Sequence, residues 1–185
     1  MKTTTSILIS IMFAAALFCM PAVAQDDFKP ITVFLIRHAE RENEPKQDPP
    51  LTKDGVARSQ ALARLLGNAG IKAIFTSQYT RTKQTAEPLA TKLGLTVTPF
   101  TLKPNSSNPR QIAEESTAEV TNKILEHGGH SVLVVGHSNS IPDVIKMLGG
   151  DVVPTIDEKK FDDIFVVNVY AKGKAKVVQL KYGAE

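Results

Sequence analysis

The sequence predicts an α/β protein, a three-layer αβα sandwich whose sheet is mostly parallel with an antiparallel edge strand. Short apolar runs alternate with longer segments that carry apolar residues at helical spacing, which is typical of parallel sheets covered by helices on both faces. The runs 31–36 and 131–135 are apolar at nearly every position, as central strands are. The last two apolar runs flank a glycine turn at 172–174, which predicts an antiparallel hairpin at the sheet edge.

The first 24 residues are interpreted as a secretory signal. Lys2 precedes an apolar run, and Ala22-Val23-Ala24 supplies the small residues of a cleavage site. The run is shorter than the ~20 apolar residues that a membrane span needs. The only cysteine, Cys19, leaves with this segment, so the mature chain has no disulfide. We expect residues 25–185 to form a single exported domain, periplasmic or secreted, with no stable membrane insertion after cleavage.

The charge balance gives no indication of a nucleic-acid partner or an anionic membrane partner. The chain has 22 Lys and Arg against 19 Asp and Glu, a formal net charge of +3 at pH 7. The charged run 157–160 is interpreted as a solvated face. Any positive field that attracts a ligand is therefore expected to be local, and the sequence does not indicate an oligomeric state.

In the first half of the chain, each predicted helix has a start or stop signal. Thr52 is a capping residue before the helix 53–68, and Gly70 lies just beyond its end. The helix 81–93 stops at Gly94. The apolar spacing of the first helix is marked by Val56, Leu62, Leu65 and Leu66. The strands predicted in this half are 31–36, 71–75 and 95–100.

In the second half, a polar loop at 103–109 precedes a predicted helix at 110–126, which ends at two glycines. A further helix is predicted at 141–148. The sparse apolar face of the longer helix comprises Ile112, Val120, Ile124 and Leu125. The strands predicted in this half are 131–135, 164–170 and 175–182.

Cationic side chains follow three of the predicted strands. Arg37 and His38 come directly after the first strand, Arg81 follows the second, and His137 follows the strongest strand signal of the chain. Ligands of open α/β sheets bind at the carboxyl ends of the strands, where helix N-termini also point. We expect these four side chains to meet there, with the proline-containing loop 41–50 lying over them.

Two arginines and two histidines match the chemistry of a phosphoryl group. Planar guanidinium groups form paired, charge-assisted hydrogen bonds to phosphoryl oxygens. A neutral imidazole can attack phosphorus in line, and a second histidine, if protonated, helps to hold the oxygens. The cations supply the charge stabilisation that magnesium often gives, so no metal or cofactor is expected. His127 and His130 are interpreted as exposed loop histidines rather than metal ligands.

Four ordered motifs resemble the histidine phosphatase superfamily, the phosphoglycerate-mutase-like proteins. The family's Arg-His-Gly signature corresponds here to Arg37-His38-Ala39, with a small residue in place of glycine. The resemblance covers nearly the whole mature chain. The matching segments are Leu35-Ile36-Arg37-His38-Ala39-Glu40, Leu51-Thr52-x-x-Gly55-x-x-x-x-Gln60-Ala61, Ser77-x-x-x-Arg81-Thr82-x-Gln84-Thr85-Ala86 and Val134-Val135-Gly136-His137-Ser138.

The resemblance implies a phosphoglycerate-mutase-like fold and an enzyme, a metal-independent phosphomonoester or phosphoramidate hydrolase. His38 is the implied nucleophile and forms a phosphohistidine, Arg37 and Arg81 bind phosphate, and His137 completes the pocket. Its substrate is either a small phosphorylated molecule or a phosphoprotein. Further candidates for contacts to the phosphate are Asn43, Ser77 and Ser138.

The general acid is not evident from the sequence. The mutase-like branch has a glutamate after the third strand, where this chain has Thr101-Leu102-Lys103-Pro104-Asn105. A leaving alkoxide needs a proton, and Glu40 is the first candidate to supply it or else pairs with a neighbouring cation. Weaker candidates are Glu114, Glu115 and Asp143. Without an acid, the enzyme would favour leaving groups that need little protonation, such as phosphohistidine or aryl phosphate.

Two other functions are compatible with the same residues. One is an exported module that binds phosphate or a phosphoester without chemistry, since a fold does not establish function. The other is a serine esterase, because Gly136-His137-Ser138-Asn139-Ser140 approximates the Gly-x-Ser-x-Gly elbow with Ser138 as nucleophile. The esterase needs a histidine after the serine, and no histidine follows His137.

Overall fold

A computed structural model describes residues 27–109 and 111–183, so the predicted secretory signal lies outside the described residues. Six strands form one sheet in the order β3-β2-β4-β1-β5-β6. The strands are β1 (Ile31–Arg37), β2 (Ile71–Ser77), β3 (Val97–Phe100), β4 (Ser131–Gly136), β5 (Asp163–Ala171) and β6 (Lys174–Lys181). The helices are α1 (Lys53–Leu66), α2 (Thr80–Leu93), α3 (Glu114–Leu125) and α4 (Ser140–Met147).

The sheet combines a parallel half with an antiparallel hairpin. Strands β3, β2, β4 and β1 pair in parallel, β5 runs antiparallel to β1, and β6 runs antiparallel to β5. The hairpin turn contains Gly173 at φ 68°, a left-handed conformation that suits glycine. The predicted fold class is therefore confirmed, with β5 as the reversed strand beside β1 and β6 as the outer edge.

Helices cover the sheet on both faces and form two apolar cores. Helices α1 and α2 pack over one face through residues such as Leu62 and Leu89, and α3 and α4 cover the other through Val120 and Ile145. Leu133 and Val134, adjacent on β4, belong to opposite cores because side chains alternate along a strand. This arrangement is the predicted three-layer sandwich.

The start of α1 brings two distant segments into backbone contact. The Thr52 hydroxyl oxygen accepts a hydrogen bond from the Gly55 amide at 3.1 Å and caps the helix, as predicted. A Cβ added at Gly55 would lie 2.1 Å from the Glu40 carbonyl oxygen. Gly55 is therefore required by close approach to the loop that follows β1.

Some predicted boundaries and core positions are wrong. Helix α3 begins at Glu114 rather than near residue 110, and Ile112 precedes it, paired in an isolated bridge with Pro104. Val56 and Leu65 are 45% and 54% exposed, because the inner face of α1 is formed by smaller neighbours as well as by Leu62 and Leu66. Strand β2 extends two residues beyond its predicted end, to Ser77. Within residues 27–109 and 111–183, no helix is long and apolar enough to cross a membrane.

Candidate active site

The sheet brings the two predicted histidines together. Strands β1 and β4 are neighbours, with Arg37 opposite Gly136, and the His38 amide donates to the Gly136 carbonyl at 3.0 Å. His38 and His137 therefore follow adjacent strand ends. Their ring centroids lie 5.3 Å apart, with the ring planes inclined at 63°.

Burial and one hydrogen bond define the state of His38. The residue is 3% exposed, and its Nδ1 lies 2.7 Å from the Ala39 carbonyl oxygen. A carbonyl only accepts, so Nδ1 carries the proton and Nε2 keeps its lone pair. Burial, followed by the positive charges of Arg81 and Arg37, lowers the pKa of His38 to about 3. His38 is therefore a neutral imidazole whose Nε2 carries a lone pair.

The His137 ring is held by a hydrogen bond to Ser77, the last residue of β2. Its Nε2 lies 2.8 Å from Ser77 Oγ, and its backbone amide donates to Ser140 Oγ at 3.0 Å. Burial, together with the neighbouring His38 and the two arginines, lowers the pKa of His137 well below its ordinary value. The sequence prediction considered a protonated second histidine, whereas these surroundings favour the neutral imidazole in the unliganded chain.

Arg37 is held by backbone carbonyls and an aromatic ring. Its Nη1 donates to the carbonyl oxygens of Asp157, Glu158 and Lys160, and its guanidinium carbon lies 4.2 Å from the ring centroid of Phe161. Its Nε is buried and has no hydrogen-bond partner among the described residues. Burial lowers the pKa of Arg37 from its ordinary value, and the neighbouring charge of Glu158 opposes that effect.

Arg81 lies in the first turn of α2, and Asp48 anchors that turn. The Asp48 carboxylate accepts hydrogen bonds from the Thr80 amide at 2.9 Å and from the Thr80 hydroxyl at 2.7 Å, which caps the helix from the loop 41–50. Arg81 Nη1 lies 3.7 Å from Asp48 Oδ1, and its guanidinium stacks over the Tyr79 ring at 4.3 Å. Arg81 Nε is also buried, with no hydrogen-bond partner in the described part of the chain.

These four side chains border one cavity of about 330 Å³. Arg41, from the loop after β1, adds a third guanidinium to its lining, in agreement with the expectation that this loop lies over the site. Among the described residues, Glu158 is the one carboxylate residue on the lining. The apolar wall of the cavity consists of Leu102, Pro104, Pro109 and Ile112. The remaining lining residues are Tyr79, Ser138 and Asn139.

Among the other predicted site residues, Ser138 lines this cavity, whereas Glu40 and Asn43 do not. Asn43 is exposed. Glu40 points into a neighbouring cluster, where its carboxylate accepts hydrogen bonds from Arg58 Nε at 2.9 Å and Nη2 at 2.7 Å. Burial alone would raise the pKa of Glu40, but the hydrogen bonds and charge of Arg58 outweigh it and lower that pKa. The placement of Glu40 thus favours the pairing role over proton donation.

The weaker acid candidates lie outside the cavity as well. Glu114 and Asp143 line a second cavity of about 510 Å³, which shares Ile112 with the first, and Glu115 is exposed. Burial raises the pKa of Asp143. Ser77 also lies outside the lining and contacts the site only through His137. The structure therefore does not bring Glu114, Glu115 or Asp143 beside His38.

Four charged or aromatic residues that line or contact the site are not among the predicted site residues: Arg41, Tyr79, Glu158 and Phe161. Arg41 was recognised only as the start of a covering loop. Segment 157–160 was interpreted as a solvated face, and its side chains are exposed. Its backbone carbonyls nevertheless turn toward Arg37, a property that side-chain composition does not reveal.

The geometry does not provide the esterase elbow or a metal cluster. A nucleophile elbow places its serine on a strained turn, and none of the described non-glycine residues has a positive φ. His137 Nε2 contacts Ser77 rather than Ser138. Within the described ranges, no group of three His, Cys, Asp or Glu residues is arranged to hold a metal ion. His127 is half-buried against Phe75, contrary to its predicted exposure, and His130 is exposed.

Residues 33–105 match the model of the Histidine phosphatase superfamily (branch 1). A protein of Yersinia pestis with the name "Probable phosphoglycerate mutase GpmB" is 36% identical over 73 residues, which is 36% of this chain and 34% of that protein. The chain thus spans about a third of the length of the curated relatives that it matches.

Solved structures extend the likeness over most of the fold. The protein histidine phosphatase SixA, complexed with tungstate, has a TM-score of 0.63 at 21% identity and covers 81% of this chain and 96% of its own. Phosphoglycerate mutase from Bacillus anthracis has a TM-score of 0.63 at 17% identity and covers 83% of this chain and 94% of its own. The predicted resemblance to the histidine phosphatase superfamily is confirmed by the family model over residues 33–105, and the fold as a whole is similar to that of these solved structures.

Proposed function

We propose that this protein is a phosphatase that hydrolyses phosphomonoesters or phosphoramidates through a covalent phosphohistidine on His38. One observation carries the proposal. A neutral imidazole lies in a cavity that is also lined by Arg37 and Arg81, and each of these arginines has a buried Nε–H with no hydrogen-bond partner among the described residues. Buried donors without partners are costly, and a bound anion satisfies them. Guanidinium donors beside a nucleophile suit phosphoryl transfer.

The first step forms the P–N bond. His38 Nε2 attacks phosphorus in line, the bond from phosphorus to the leaving group breaks, and its electron pair departs with the leaving group. The imidazole becomes cationic, and the Ala39 carbonyl, which accepts from Nδ1–H, stabilises that charge. Arg37 and Arg81 stabilise the charge that spreads over the equatorial oxygens.

The second step restores the enzyme. Water attacks phosphorus, the P–N bond breaks, and its electron pair returns to His38 Nε2 as inorganic phosphate forms. The proton lost by water passes to phosphate or solvent. The low pKa of His38 makes its neutral imidazole a good leaving group in this step.

The surroundings of the cavity favour leaving groups that need little protonation. Of the residues that the structure describes, Glu158 is the one carboxylate residue on the lining, and it is exposed rather than held as a buried acid. Transfer from a phosphorylated imidazole to His38 exchanges one P–N bond for another and needs less acid assistance than release of an alkoxide. The apolar wall of Leu102, Pro104, Pro109 and Ile112 suits a planar leaving group. The similarity to a protein histidine phosphatase supports phosphohistidine as a substrate class.

Export is part of the proposal and depends on residues 1–24, which lie outside the described residues. The apolar run and the Ala22-Val23-Ala24 site support cleavage after Ala24. We expect the protein recovered from an exported fraction to begin at Gln25. Intact mass and N-terminal sequencing test this, and a cytoplasmic product that retains Met1 would refute it.

The phosphatase proposal is tested by assaying the purified protein with an aryl phosphate and with phosphohistidine, in the presence of a chelator. We expect turnover that resists the chelator and disappears in His38→Ala, a loss on the order of 10⁴-fold or more. Rapid quenching with labelled substrate should capture a phosphoryl group that is stable in base and labile in acid.

Two results would overturn this assignment. Turnover that survives in His38→Ala would exclude the phosphohistidine route. Retained phosphate binding without turnover or phosphohistidine would instead identify the binding module. His127→Ala is the matched control, because it removes a histidine outside the cavity, and its activity should equal that of the unaltered protein.

A further inference from the structure

Two aromatic rings flank the functional side chains of the cavity. Phe161 contacts Arg37 at 4.2 Å and the His38 ring at 5.9 Å. Tyr79 contacts Arg81 at 4.3 Å and the His137 ring at 5.3 Å. Each ring thus touches one arginine and one histidine. With the contact between the two histidines, six side chains form a continuous series: Arg37, Phe161, His38, His137, Tyr79 and Arg81.

An aromatic ring and a carboxylate hold a guanidinium group in different ways. Stacking attracts the cation through the ring face and leaves its N–H donors in the guanidinium plane, where they remain able to bind an anion. A carboxylate occupies those donors and cancels the charge. The buried Nε–H groups of Arg37 and Arg81 have no partner in the described residues, as stacking permits.

The other contacts of these arginines fit the same pattern. The Nη1 donor of Arg37 is held by neutral carbonyl oxygens rather than by a carboxylate side chain. Asp48 lies 3.7 Å from Arg81, beyond hydrogen-bond distance, and uses its carboxylate to cap α2. The rings therefore fix the orientation of both cations while little of their charge is neutralised.

We propose that Tyr79 and Phe161 are positioning residues, which orient the two arginine–histidine pairs toward a bound phosphoryl group. This inference rests on the proposed phosphatase function. It assigns the rings no chemical step. It implies that the Tyr79 ring, rather than its hydroxyl group, is the essential feature, and that segment 157–161 contributes to catalysis although it carries no predicted motif.

The test compares removal of each ring with its conservative replacement. Phe161→Leu and Tyr79→Leu remove the stacking, and kcat/KM should fall roughly fivefold to thirtyfold, as expected from the strength of a cation–π contact. Phe161→Tyr and Tyr79→Phe keep a ring and should remain within twofold of the unaltered protein. Phe34→Leu is the matched control, a half-buried phenylalanine on β1 that packs away from the cavity.

A second measurement distinguishes positioning from simple destabilisation. Calorimetric titration with inorganic phosphate should show weaker binding in both leucine variants at unchanged thermal stability. In nitrogen-15 NMR, the Nε–H signal of Arg37 should broaden only in Phe161→Leu. The Nε–H signal of Arg81 should broaden only in Tyr79→Leu. If Phe161→Leu does not fold, Phe161→Met, which keeps an apolar side chain of similar length, replaces it.

The outcomes separate this inference from the phosphatase proposal. Leucine variants that retain phosphate affinity and kcat/KM within twofold of the unaltered protein would overturn the positioning role while leaving the phosphatase in place. The positioning role would also be overturned if Phe161→Tyr and Tyr79→Phe lost as much kcat/KM as the leucine variants. Absence of turnover in the unaltered protein would refute the phosphatase proposal. The phosphate affinities of the leucine variants would still test the positioning role of the two rings.

Discussion

Arg37 and Arg58 lie near one loop, yet their surroundings are opposite. Arg58 donates hydrogen bonds from Nε and Nη2 to the Glu40 carboxylate and from Nη1 to the Tyr182 carbonyl oxygen. Arg37 has carbonyl oxygens and a ring as neighbours, and its buried Nε has no partner in the described chain. The Arg58 donors are therefore bonded within the protein, whereas the Nε–H of Arg37 is available to a ligand.

This difference shows how to distinguish a structural cation from a binding cation. Bonding to Glu40 raises the pKa of Arg58, because the carboxylate stabilises its charge more than burial opposes it. Burial and the positive charge of Arg41 lower the pKa of Arg81. A group of like charges that destabilise one another is retained most easily where an anion binds. Three experiments test this distinction.

The largest effect is expected from Arg81→Ala. Removing a preorganised donor from the transition state should lower kcat/KM on the order of 10² to 10³-fold. Asp48 still caps α2 in this variant, so the unfolding transition should change little. Steady-state kinetics and thermal unfolding check both statements. Arg64→Ala, an exposed arginine on α1, is the control and should retain full activity. An Arg81→Ala protein with activity within threefold of the unaltered one would refute a phosphate-binding role.

A smaller effect of a different kind is expected from Glu40→Gln. The amide keeps one acceptor oxygen but leaves the Arg58 charge without its partner, so the free energy of unfolding should fall by about 2 kcal/mol. Denaturant unfolding measures the loss. The kcat with an aryl phosphate should remain within about threefold, because Glu40 does not line the cavity. A loss of activity above tenfold in a folded Glu40→Gln protein would instead support Glu40 as the general acid.

The smallest effect concerns pH. The pKa of His38 is about 3 in the folded chain, and an unperturbed histidine has a pKa near 6.5. Between these values the unfolded chain binds more protons, so stability is lost as the pH falls below about 6.5. The contribution of one histidine is about 1 kcal/mol per pH unit. Urea unfolding at pH 7 and pH 5 measures the total slope, to which His137 also contributes, and His38→Gln should reduce that slope by the share of one histidine. An equal slope in the variant would contradict a neutral, buried His38.

Much of the site was predictable because strand ends are visible in sequence. Apolar runs that stop at Arg37-His38 and at Gly136-His137 indicate where two strands end, and parallel pairing brings those ends together. The nucleophile and its partners were predicted from this logic together with the family resemblance. The structure places these side chains around one cavity, while their roles remain predictions.

The unpredicted parts depend on backbone direction and on long-range pairing. Glu40 is two residues from His38, but the strand has ended at Arg37, so alternation no longer predicts which way a side chain points. Ile112 faces the cavity because it pairs with Pro104 before α3 begins, which helical spacing does not reveal. Phe161 adjoins the charged segment 157–160, whose side-chain composition does not reveal that its backbone carbonyls accept hydrogen bonds from Arg37.

The pairing of β1 with β4 has a consequence for how substrate preference could be redesigned. Neighbouring strands lie about 4.8 Å apart, a spacing fixed by backbone hydrogen bonds and insensitive to side-chain identity. The separation of His38 and His137 derives from that spacing, so mutations elsewhere leave it nearly unchanged. Apolar residues that line the cavity without holding the arginines, such as Leu102 and Pro104, are therefore the positions at which substrate preference can be altered while the two histidines keep their separation.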